Sequence, residues 1–292
     1  MPDASLPIAR VAFQGEPGAF SEAAAMQLLG ETILTVPRAT FDAAFRAVDE
    51  GAADGLLAPV ENSLAGSVVR VYDLLLESKL VIVAETILRI EHHLIGCPGA
   101  TLGGLRRVAS HPMALAQCER FFLAHPDLER IPAEDTAGSV RDVMAKGDKT
   151  AAGIAGRQAA ARYGGVILAE SIEDNAENFT RFVLLLPHDS GSEAGLVVPR
   201  WNAKTVKLSL AMRLPHRPGA LLEALRPFAE QGVNLLKIES RPIHGRPWEY
   251  QFFLDVQSEE PAKLHAALHE LRASTNFLRV LGRYAPAATG ER

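Results

Sequence analysis

The chain has 292 residues, of which 48% are hydrophobic and 22% charged, and its formal net charge is -5 at pH 7. A chain of this length usually forms more than one domain, and this composition allows buried cores instead of long disorder. The acidic balance and the scattered Lys and Arg residues exclude a broad basic surface, so we expect no nucleic-acid partner. Two cysteines without a paired spacing, and no run of about 18 apolar residues, predict a cytoplasmic protein that is neither exported nor membrane-bound.

Short β-branched runs alternate with helical patterns from residue 8 to about residue 186, which is typical of a parallel or mixed sheet covered by helices. The first elements in chain order are a strand over 8–13, a helix over 20–29 with Ser21 as its cap, a helix capped by Thr40, and a strand over 55–60. Residues 80–94 form one long extended segment, which we expect to carry the chain into a second lobe.

The second lobe is predicted to contain a strand over 107–110, helices over 113–123 and 137–146, and strands near Thr150 and Val166. A strand over 179–186 then returns to the first lobe. The catalytic part, residues 1–187, is therefore expected to be a two-lobed α/β region resembling periplasmic binding proteins. Lobe 1 covers about 1–86 plus 178–187, and lobe 2 covers about 87–177. Because clefts between lobes are preferred ligand sites, we expect the active site between them.

The C-terminal part begins after a polar linker over residues 188–204 and is predicted to be an α+β domain over 205–284, followed by a tail over 285–292. Its predicted elements are strands over 205–214, 234–241, 248–257 and 277–283, and helices over 218–231 and 261–273. This βαββαβ order is ferredoxin-like. In the first of these helices, Leu221, Leu225, Phe228 and Ala229 have the spacing of one buried face.

Polar clusters follow the predicted strands of the catalytic part, where open α/β sheets bind ligands. Helices that begin directly after these loops present unpaired N–H groups and a positive dipole end, which suit a carboxylate without a basic surface. For any single loop, the alternative is that Ser, Thr, Asp and Gly only cap helices and form turns. The clusters are 15–18, 61–63, 110–112 and 135–139.

The motifs APVENSLAG, ASHPMALAQC, DTAGS and NFTRF, in this order, resemble the four signature regions of prephenate dehydratases. GEPGAFSE near the start extends the resemblance through the catalytic part, and GALL and ESRP extend it through a C-terminal ACT domain. The resemblance implies the monofunctional enzyme, which converts prephenate to phenylpyruvate, water and carbon dioxide without a metal or coenzyme. It also implies feedback regulation by phenylalanine and assembly into a homodimer or homotetramer.

The same resemblance places Thr180 against the leaving hydroxyl, as general acid or as hydrogen-bond donor. Because neighbours on a strand face opposite sides, Phe182 is expected to share the cleft with Thr180. Arg181 then has two open readings, as a carboxylate ligand or as a structural ion-pair partner. The residues carried over as substrate-binding are Glu61 in a supporting role, Asn62, Ser63, Ser110, Gln117, Thr136 and Ser139. Met113 stands where this motif is expected to have a glutamine, which removes two donors and an acceptor.

In the ACT domain, the helix start at Gly219 offers backbone N–H groups to an amino-acid carboxylate, and Asn234 is positioned to accept from its ammonium. The phenylalanine site implied by the resemblance consists of Gly219, Ala220, Leu221, Leu222, Asn234, Glu239, Ser240, Arg241 and Pro242. The alternative is that these segments are only a helix start and a strand.

Two rival functions remain at this stage. Arogenate carries an amine in place of the keto group and undergoes the same chemistry, and residues near Thr136 to Ser139 would distinguish it. A non-catalytic sensor of small anions is the rival from another class, although such a protein would not need Thr180 and Arg181. His92 and His93 are adjacent strand residues in this prediction, so we expect a structural role for them instead of a metal site.

Overall fold

A computed structural model describes residues 10–188, 205–243 and 245–287. Contacts between residues divide the described chain into two compact units. The first unit comprises 10–72 and 86–183, and the second comprises 73–85, 184–188, 205–243 and 245–287. The predicted linker over 188–204 lies almost entirely outside the described residues, so the predicted domain boundaries stay predictions.

The first sheet of unit 1 is built from parallel strands with helices between them. Strand β1 (Arg10–Gln14) pairs in parallel with β2 (Leu34–Arg38) and β3 (Gly55–Asn62), and the short β4 (Gly66–Ser67) turns back on β3. The connecting helices are α1 (Phe20–Leu29) and α2 (Phe41–Asp49), and α3 (Val69–Glu77) follows β4. The centre of β1 is fully buried, as expected of a strand covered on both faces.

The two predicted helix caps have different outcomes. Thr40 caps α2 as predicted, because its hydroxyl accepts a hydrogen bond from the Ala43 N–H over 3.1 Å. Ser21 as the cap of α1 is wrong, since Ser21 lies inside the helix and Ala19 occupies the cap position. Alanine has no side-chain acceptor, and this end of α1 therefore has no side-chain cap.

The predicted long segment over 80–94 is divided into two strands, β5 (Leu80–Arg89) and β6 (His93–Gly96), which lie in different sheets. Two of the residues between these strands form hydrogen bonds to residues that are distant in sequence. The Ile90 N–H donates to the Asn178 carbonyl over 2.8 Å, and the His92 N–H donates to the Glu173 carboxylate over 2.9 Å. Such long-range partners are invisible in a local hydrophobic pattern.

The second sheet of unit 1 has the order β10-β6-β9-β7-β8 and contains the strands predicted over 107–110 and near Thr150 and Val166. Its further elements are a short 3₁₀ turn at Leu102–Gly104, then β7 (Arg107–Ser110), α4 (Pro112–Ala116), α5 (Glu119–Ala124), β8 (Glu129–Pro132), α6 (Thr136–Lys146), β9 (Ala151–Ala155), α7 (Arg157–Tyr163) and β10 (Val166–Ala169). Strand β11 (Phe179–Pro187) then runs beside β3 in the first sheet, as predicted.

The single helix predicted over 113–123 is two short helices, α4 and α5. The break has a physical cause at the start of α5, where the Asp174 carboxylate accepts from the backbone N–H groups of Glu119 and Arg120 over 2.8 and 2.9 Å. A carboxylate in this position caps a new helix start. Gln117, which lies in the break, is therefore held at a helix end instead of on a helix face.

Unit 2 contains the predicted βαββαβ order, which is thereby confirmed. The elements are β12 (Val206–Arg213), α8 (Ala220–Glu230), β13 (Asn234–Ile243), β14 (Arg246–Ser258), α9 (Pro261–Ala273) and β15 (Phe277–Tyr284). Its antiparallel strands follow the order β13-β14-β12-β15. On α8, Leu221, Leu225 and Phe228 pack into the core as predicted, but Ala229 is exposed and Ala224 is buried in its place. The buried stripe is therefore shifted from the predicted one and includes Ala220, Ala224, Pro227 and Phe228.

Within the part of the chain that the structure describes, no helix is both long enough and apolar enough to cross a membrane.

Candidate functional site

A cleft of about 590 Å³ lies within unit 1, where loops from both sheets converge. Its walls come from the ends of β1, β2, β3, β7 and β8, together with the first residues of β11. This is the edge at which the carboxyl ends of parallel strands place ligand-binding loops. The volume matches that of a site for a small organic molecule.

Thr180 lies in this cleft and is largely buried. Its hydroxyl oxygen lies 3.0 Å from Nδ2 of Asn62. The Asn62 Oδ1 accepts from the backbone N–H groups of Leu64 and Ala65 over 2.9 and 2.8 Å, so the opposite amide group must be the donor. The Thr180 oxygen therefore accepts from Asn62, and its own proton is available to a ligand.

The amide of Asn62 also sets the direction of a longer chain of hydrogen bonds. Its Nδ2 donates to Asn178 Oδ1 over 2.8 Å, and Asn178 Nδ2 donates in turn to Gln117 Oε1 over 3.0 Å. Asn178 is fully buried between the other two. Because Gln117 Oε1 is used as an acceptor, the Gln117 NH₂ group is the part left to face the cleft, and it has no partner among the described residues.

His92 completes this chain at Gln117. Its Nε2 lies 2.9 Å from Gln117 Oε1, and since an amide oxygen only accepts, Nε2 carries the proton. Burial lowers the pKa of His92, which favours the neutral imidazole, with the Gln117 hydrogen bond acting in the opposite direction. Nδ1 is buried and has no hydrogen-bond partner within the described chain. The neutral ring thus holds Gln117 in one orientation.

Arg181 and Phe182 continue β11 with unbroken alternation. Phe182 is buried and lines the cleft beside Thr180, whereas Arg181 is not among the residues that line it. The Arg181 guanidinium instead lies 3.8 Å from the Glu61 carboxylate. Of the two readings open from the sequence, this placement favours the ion-pair partner for Arg181 and the supporting role for Glu61.

The other predicted substrate-binding residues fall into two groups. Asn62, Gln117 and Thr136 line the cleft. Ser63, Ser110 and Ser139 do not, and each hydroxyl donates to a backbone carbonyl, of Glu177, Ile154 and Asp135 respectively, over 2.7 to 2.8 Å. Ser63 and Ser110 thus each connect two segments that are distant in sequence, and Ser139 bonds within the first turn of its own helix.

The charge lining the cleft is negative in the described residues. Its charged side chains are Asp42, Glu134 and Asp135, with no Lys or Arg among them. Asp42 is paired with Arg70 at 2.5 Å, and this partner lowers the pKa of Asp42. Asp135 caps α6 through the Gly138 N–H, and burial raises the pKa of Asp135. Met113, at the position of the expected glutamine, lies half-exposed at the same wall.

No group of three or more His, Cys, Asp or Glu side chains in the described ranges has an arrangement that would hold a metal ion. His92 and His93 do not act together, since His93 Nδ1 instead accepts from the Ser171 N–H over 3.1 Å.

The predicted phenylalanine-site residues lie at two places in unit 2. Gly219 takes a left-handed conformation, with φ of 82°, directly before α8, and Arg217 and Glu223 form an ion pair at 2.5 Å beside it. Asn234 begins β13, and Glu239 to Pro242 lie further along the same strand with alternating exposure. Leu222 and Asn234 are exposed, Ala220 is buried, and Glu239 pairs with Lys237 at 3.4 Å.

Comparison with known families gives two matches along the chain. The model of the prephenate dehydratase family matches residues 11–190, and the model of the ACT domain matches residues 209–270. The bifunctional chorismate mutase/prephenate dehydratase of Neisseria gonorrhoeae is 37% identical over 95% of this chain and 74% of its own length. The arogenate dehydratase/prephenate dehydratase 2 of Arabidopsis thaliana is 39% identical over 94% of this chain and 72% of its own length.

Solved structures agree over nearly the whole chain. Prephenate dehydratase from Arthrobacter aurescens, in complex with L-Phe, has a TM-score of 0.84 and 32% identity, covering 97% of this chain and 92% of that one. GqqA, described as a novel type of quorum-quenching acylase, has a TM-score of 0.85 and 34% identity, covering 96% of this chain and 98% of that one. These likenesses confirm the predicted fold class.

Proposed function

Because this chain belongs to the prephenate dehydratase family, with an ACT domain at its C-terminal end, we propose that it converts prephenate to phenylpyruvate, water and carbon dioxide. In this reaction the bond between the ring and its carboxylate breaks, and its electron pair enters the ring. The ring carbon opposite loses its hydroxyl, which takes up one proton and leaves as water. Aromatisation of the ring supplies the driving force, so the protein's task is to position the substrate and assist the departing oxygen.

The orientation of the Thr180 hydroxyl carries this proposal. Its oxygen accepts from Asn62 at 3.0 Å, which leaves its proton directed to a ligand in the cleft. A threonine hydroxyl stays protonated at neutral pH, so it suits a donor to the leaving oxygen, or a relay, better than full proton transfer. Such assistance is typically worth about 10²- to 10⁴-fold in rate.

Gln117 supports the same reading from the other wall. Its NH₂ group faces the cleft because Asn178 and His92 both use its oxygen. Donors fixed before the substrate arrives cost no reorganisation during the reaction. Phe182 adds an apolar contact suited to the face of a ring.

The direct test is steady-state turnover of prephenate by the purified full-length protein, with phenylpyruvate measured as product. We expect turnover with a 1:1 yield of carbon dioxide. Binding of prephenate without any phenylpyruvate would instead favour the anion-sensor alternative.

Arogenate is the second candidate substrate, favoured by one observation. Glu134 is an exposed carboxylate at the cleft wall with no hydrogen-bond or ion-pair partner in the described residues, and it would suit the ammonium that arogenate carries. Comparing kcat/KM for the two substrates in the wild type and in Glu134→Gln decides this. A selective loss for arogenate in the variant would support it, and equal effects on both substrates would reject it.

Amide hydrolysis, suggested by the name of the GqqA structure, finds little support in the cleft. Nucleophilic acyl chemistry needs a hydroxyl or thiol within hydrogen-bond reach of a base. Within the described chain, the Thr180 hydroxyl is bonded to an amide, and the Ser21 hydroxyl has no hydrogen-bond partner.

We further propose that phenylalanine binds at Gly219 to Leu222, with Asn234 and Glu239 to Pro242 completing the site in a homodimer or homotetramer. The backbone at Gly219 is open, because a Cβ there would meet only the Glu223 carboxylate at 3.9 Å. Light scattering coupled to size exclusion measures the assembly, and calorimetry measures phenylalanine binding. A monomer that binds no phenylalanine would contradict this part of the proposal.

A further inference from the structure

The proposed substrate is a dianion, yet the described residues that line the cleft offer it no Lys or Arg side chain. An anion can instead be bound by the N-terminus of a helix, where unpaired N–H groups and the helix dipole meet it. Helices of eight or more residues that begin at the cleft include α1, α2 and α6. These helices differ in whether a side chain of the protein already caps the N-terminus.

Side chains of the protein cap two of these helices. Thr40 accepts from the Ala43 N–H at the start of α2, and Asp135 accepts from the Gly138 N–H at the start of α6. Helix α1 begins after Ala19 and has no side-chain cap. The N–H groups of its first three residues, Phe20, Ser21 and Glu22, have no acceptor among the described residues.

Ser21 gives an independent indication of a ligand at this end. The residue is buried, with a relative exposure of 8%, yet it lines the cleft. Its hydroxyl has no hydrogen-bond partner in the described part of the chain. This hydroxyl is therefore free to bond to a ligand in the cleft.

Glu22 does not fill the site, although it lies in the same turn. Its carboxylate accepts from the Gly18 N–H over 2.5 Å and from the Thr35 hydroxyl over 2.6 Å. Both partners lie before the helix or on β2, and Glu22 is not among the residues that line the cleft. The free end of α1 therefore stays open on the cleft side.

We propose that the Ser21 hydroxyl and the free N–H groups at the start of α1 form a carboxylate subsite, which binds the side-chain carboxylate that the substrate keeps in the product. This rests on the proposed function. The departing carboxylate loses its charge as carbon dioxide forms, so strong donors on it would oppose the reaction. The retained carboxylate keeps its charge throughout, and binding it affects substrate and transition state alike.

The test uses Ser21→Asp in the full-length protein. An aspartate in the first turn interacts favourably with the helix dipole, and its charge repels a bound carboxylate. The matched control is Ala262→Asp, which places the same charge at the same position of α9, on an exposed residue of unit 2. Ser21→Ala removes only the hydroxyl.

We expect Ser21→Asp to raise KM by about tenfold or more and Ser21→Ala to raise it by a smaller factor, with kcat within about threefold of wild type. The inhibition constant of phenylpyruvate, which retains the carboxylate, rises by a similar factor. The control leaves both values unchanged. An unchanged KM in Ser21→Asp, or a raised KM with unchanged phenylpyruvate inhibition, overturns the subsite.

The subsite and the proposed function fail in distinguishable ways. If the wild type forms no phenylpyruvate, the proposed function is wrong. Calorimetric titration of phenylpyruvate into the wild type and Ser21→Asp then still decides the subsite. Equal affinity in the two proteins, or no binding to the wild type, rejects it, and weakened binding in the variant alone supports it.

Discussion

Asn62 donates from Nδ2 to the Thr180 hydroxyl oxygen over 3.0 Å, while its Oδ1 accepts two backbone N–H groups of its own turn. The turn thus fixes which end of the amide meets Thr180. This one relationship determines where the threonine proton points and connects the local sequence Glu61-Asn62-Ser63 to the chemistry of the cleft.

Removing the Thr180 hydroxyl tests its role in the reaction. We expect Thr180→Ala to lower kcat by about 10²- to 10⁴-fold with little change in KM, because the contact strengthens mainly as the hydroxyl leaves. Thr180→Ser keeps a donor and should retain most of the rate. Steady-state kinetics with prephenate measures both, and a near-normal kcat in the alanine variant would remove Thr180 from the mechanism.

Reversing the hydrogen bond to Thr180 tests its direction. Asn62→Asp keeps an oxygen for the turn but replaces the Nδ2 donor by an acceptor, so the Thr180 proton turns away from the ligand. We expect a fall in kcat of about tenfold or more, although the hydroxyl is still present.

The matched control for this change is Asn175→Asp. Asn175 is exposed and its Oδ1 accepts from the Glu177 N–H in a similar turn, so the charge and the local role change in the same way away from the cleft. The control should keep full activity. Equal kcat values for Asn62→Asp and the wild type would show that the direction of this bond is irrelevant.

Burial of His92 predicts a pH dependence of stability. The folded-state pKa lies below the usual histidine value of 6.5. As pH falls through 6.5, this histidine binds a proton in the unfolded chain but not in the folded state. The stability that it contributes is therefore fully present above that pH and is lost on acidification. One such group contributes at most about 1.4 kcal/mol per pH unit.

His92→Gln removes this contribution. Denaturant unfolding at several pH values between 5 and 7.5 should show a shallower loss of stability in the variant than in the wild type. His93, whose pKa is also lowered by burial, leaves a residual slope. Parallel curves for the two proteins would show that His92 is not held neutral in the folded state.

The phenylalanine site is tested at Gly219, whose left-handed backbone precedes α8. We expect Gly219→Ala to raise the phenylalanine concentration needed for half-maximal response by about tenfold or more, since the added methyl group strains the backbone that would contact the ligand. Gly232, with φ of 66° at the other end of the same helix, provides the control Gly232→Ala. Equal responses of the two variants would contradict a role for Gly219 beyond its turn.

Local sequence patterns predicted the fold well where an element depends on its own residues. The limits of α1, β7 and α9 and the βαββαβ order follow from hydrophobic periodicity. The predictions fail where the backbone N–H groups form hydrogen bonds to residues that are distant in sequence. Glu173 and Asn178 end β5, and Asp174 divides the predicted helix into α4 and α5.

The candidate site was predictable to a similar extent. Thr180, Phe182, Asn62, Gln117 and Thr136 all line the cleft, and these residues came from motifs. Asn178 is a site residue that the sequence analysis did not identify. Residues two apart on a strand share one face, so the spacing of Phe182 and Thr180 could have placed Asn178 on the same side. His92 was assigned only a structural role, because it was treated as a strand residue. For Ser21 the cap role is wrong although the helix limits are right, because Ala19 takes the cap position and Ser21 lies inside the helix.

The most direct test of the account is a single-turnover experiment in which excess enzyme is mixed with prephenate and phenylpyruvate formation is followed, for the wild type and Thr180→Ala. The account predicts a fast exponential in the wild type and a rate slower by about 10²-fold or more in the variant, with similar binding of substrate. Equal single-turnover rates for the two proteins, or no phenylpyruvate from the wild type, would contradict it.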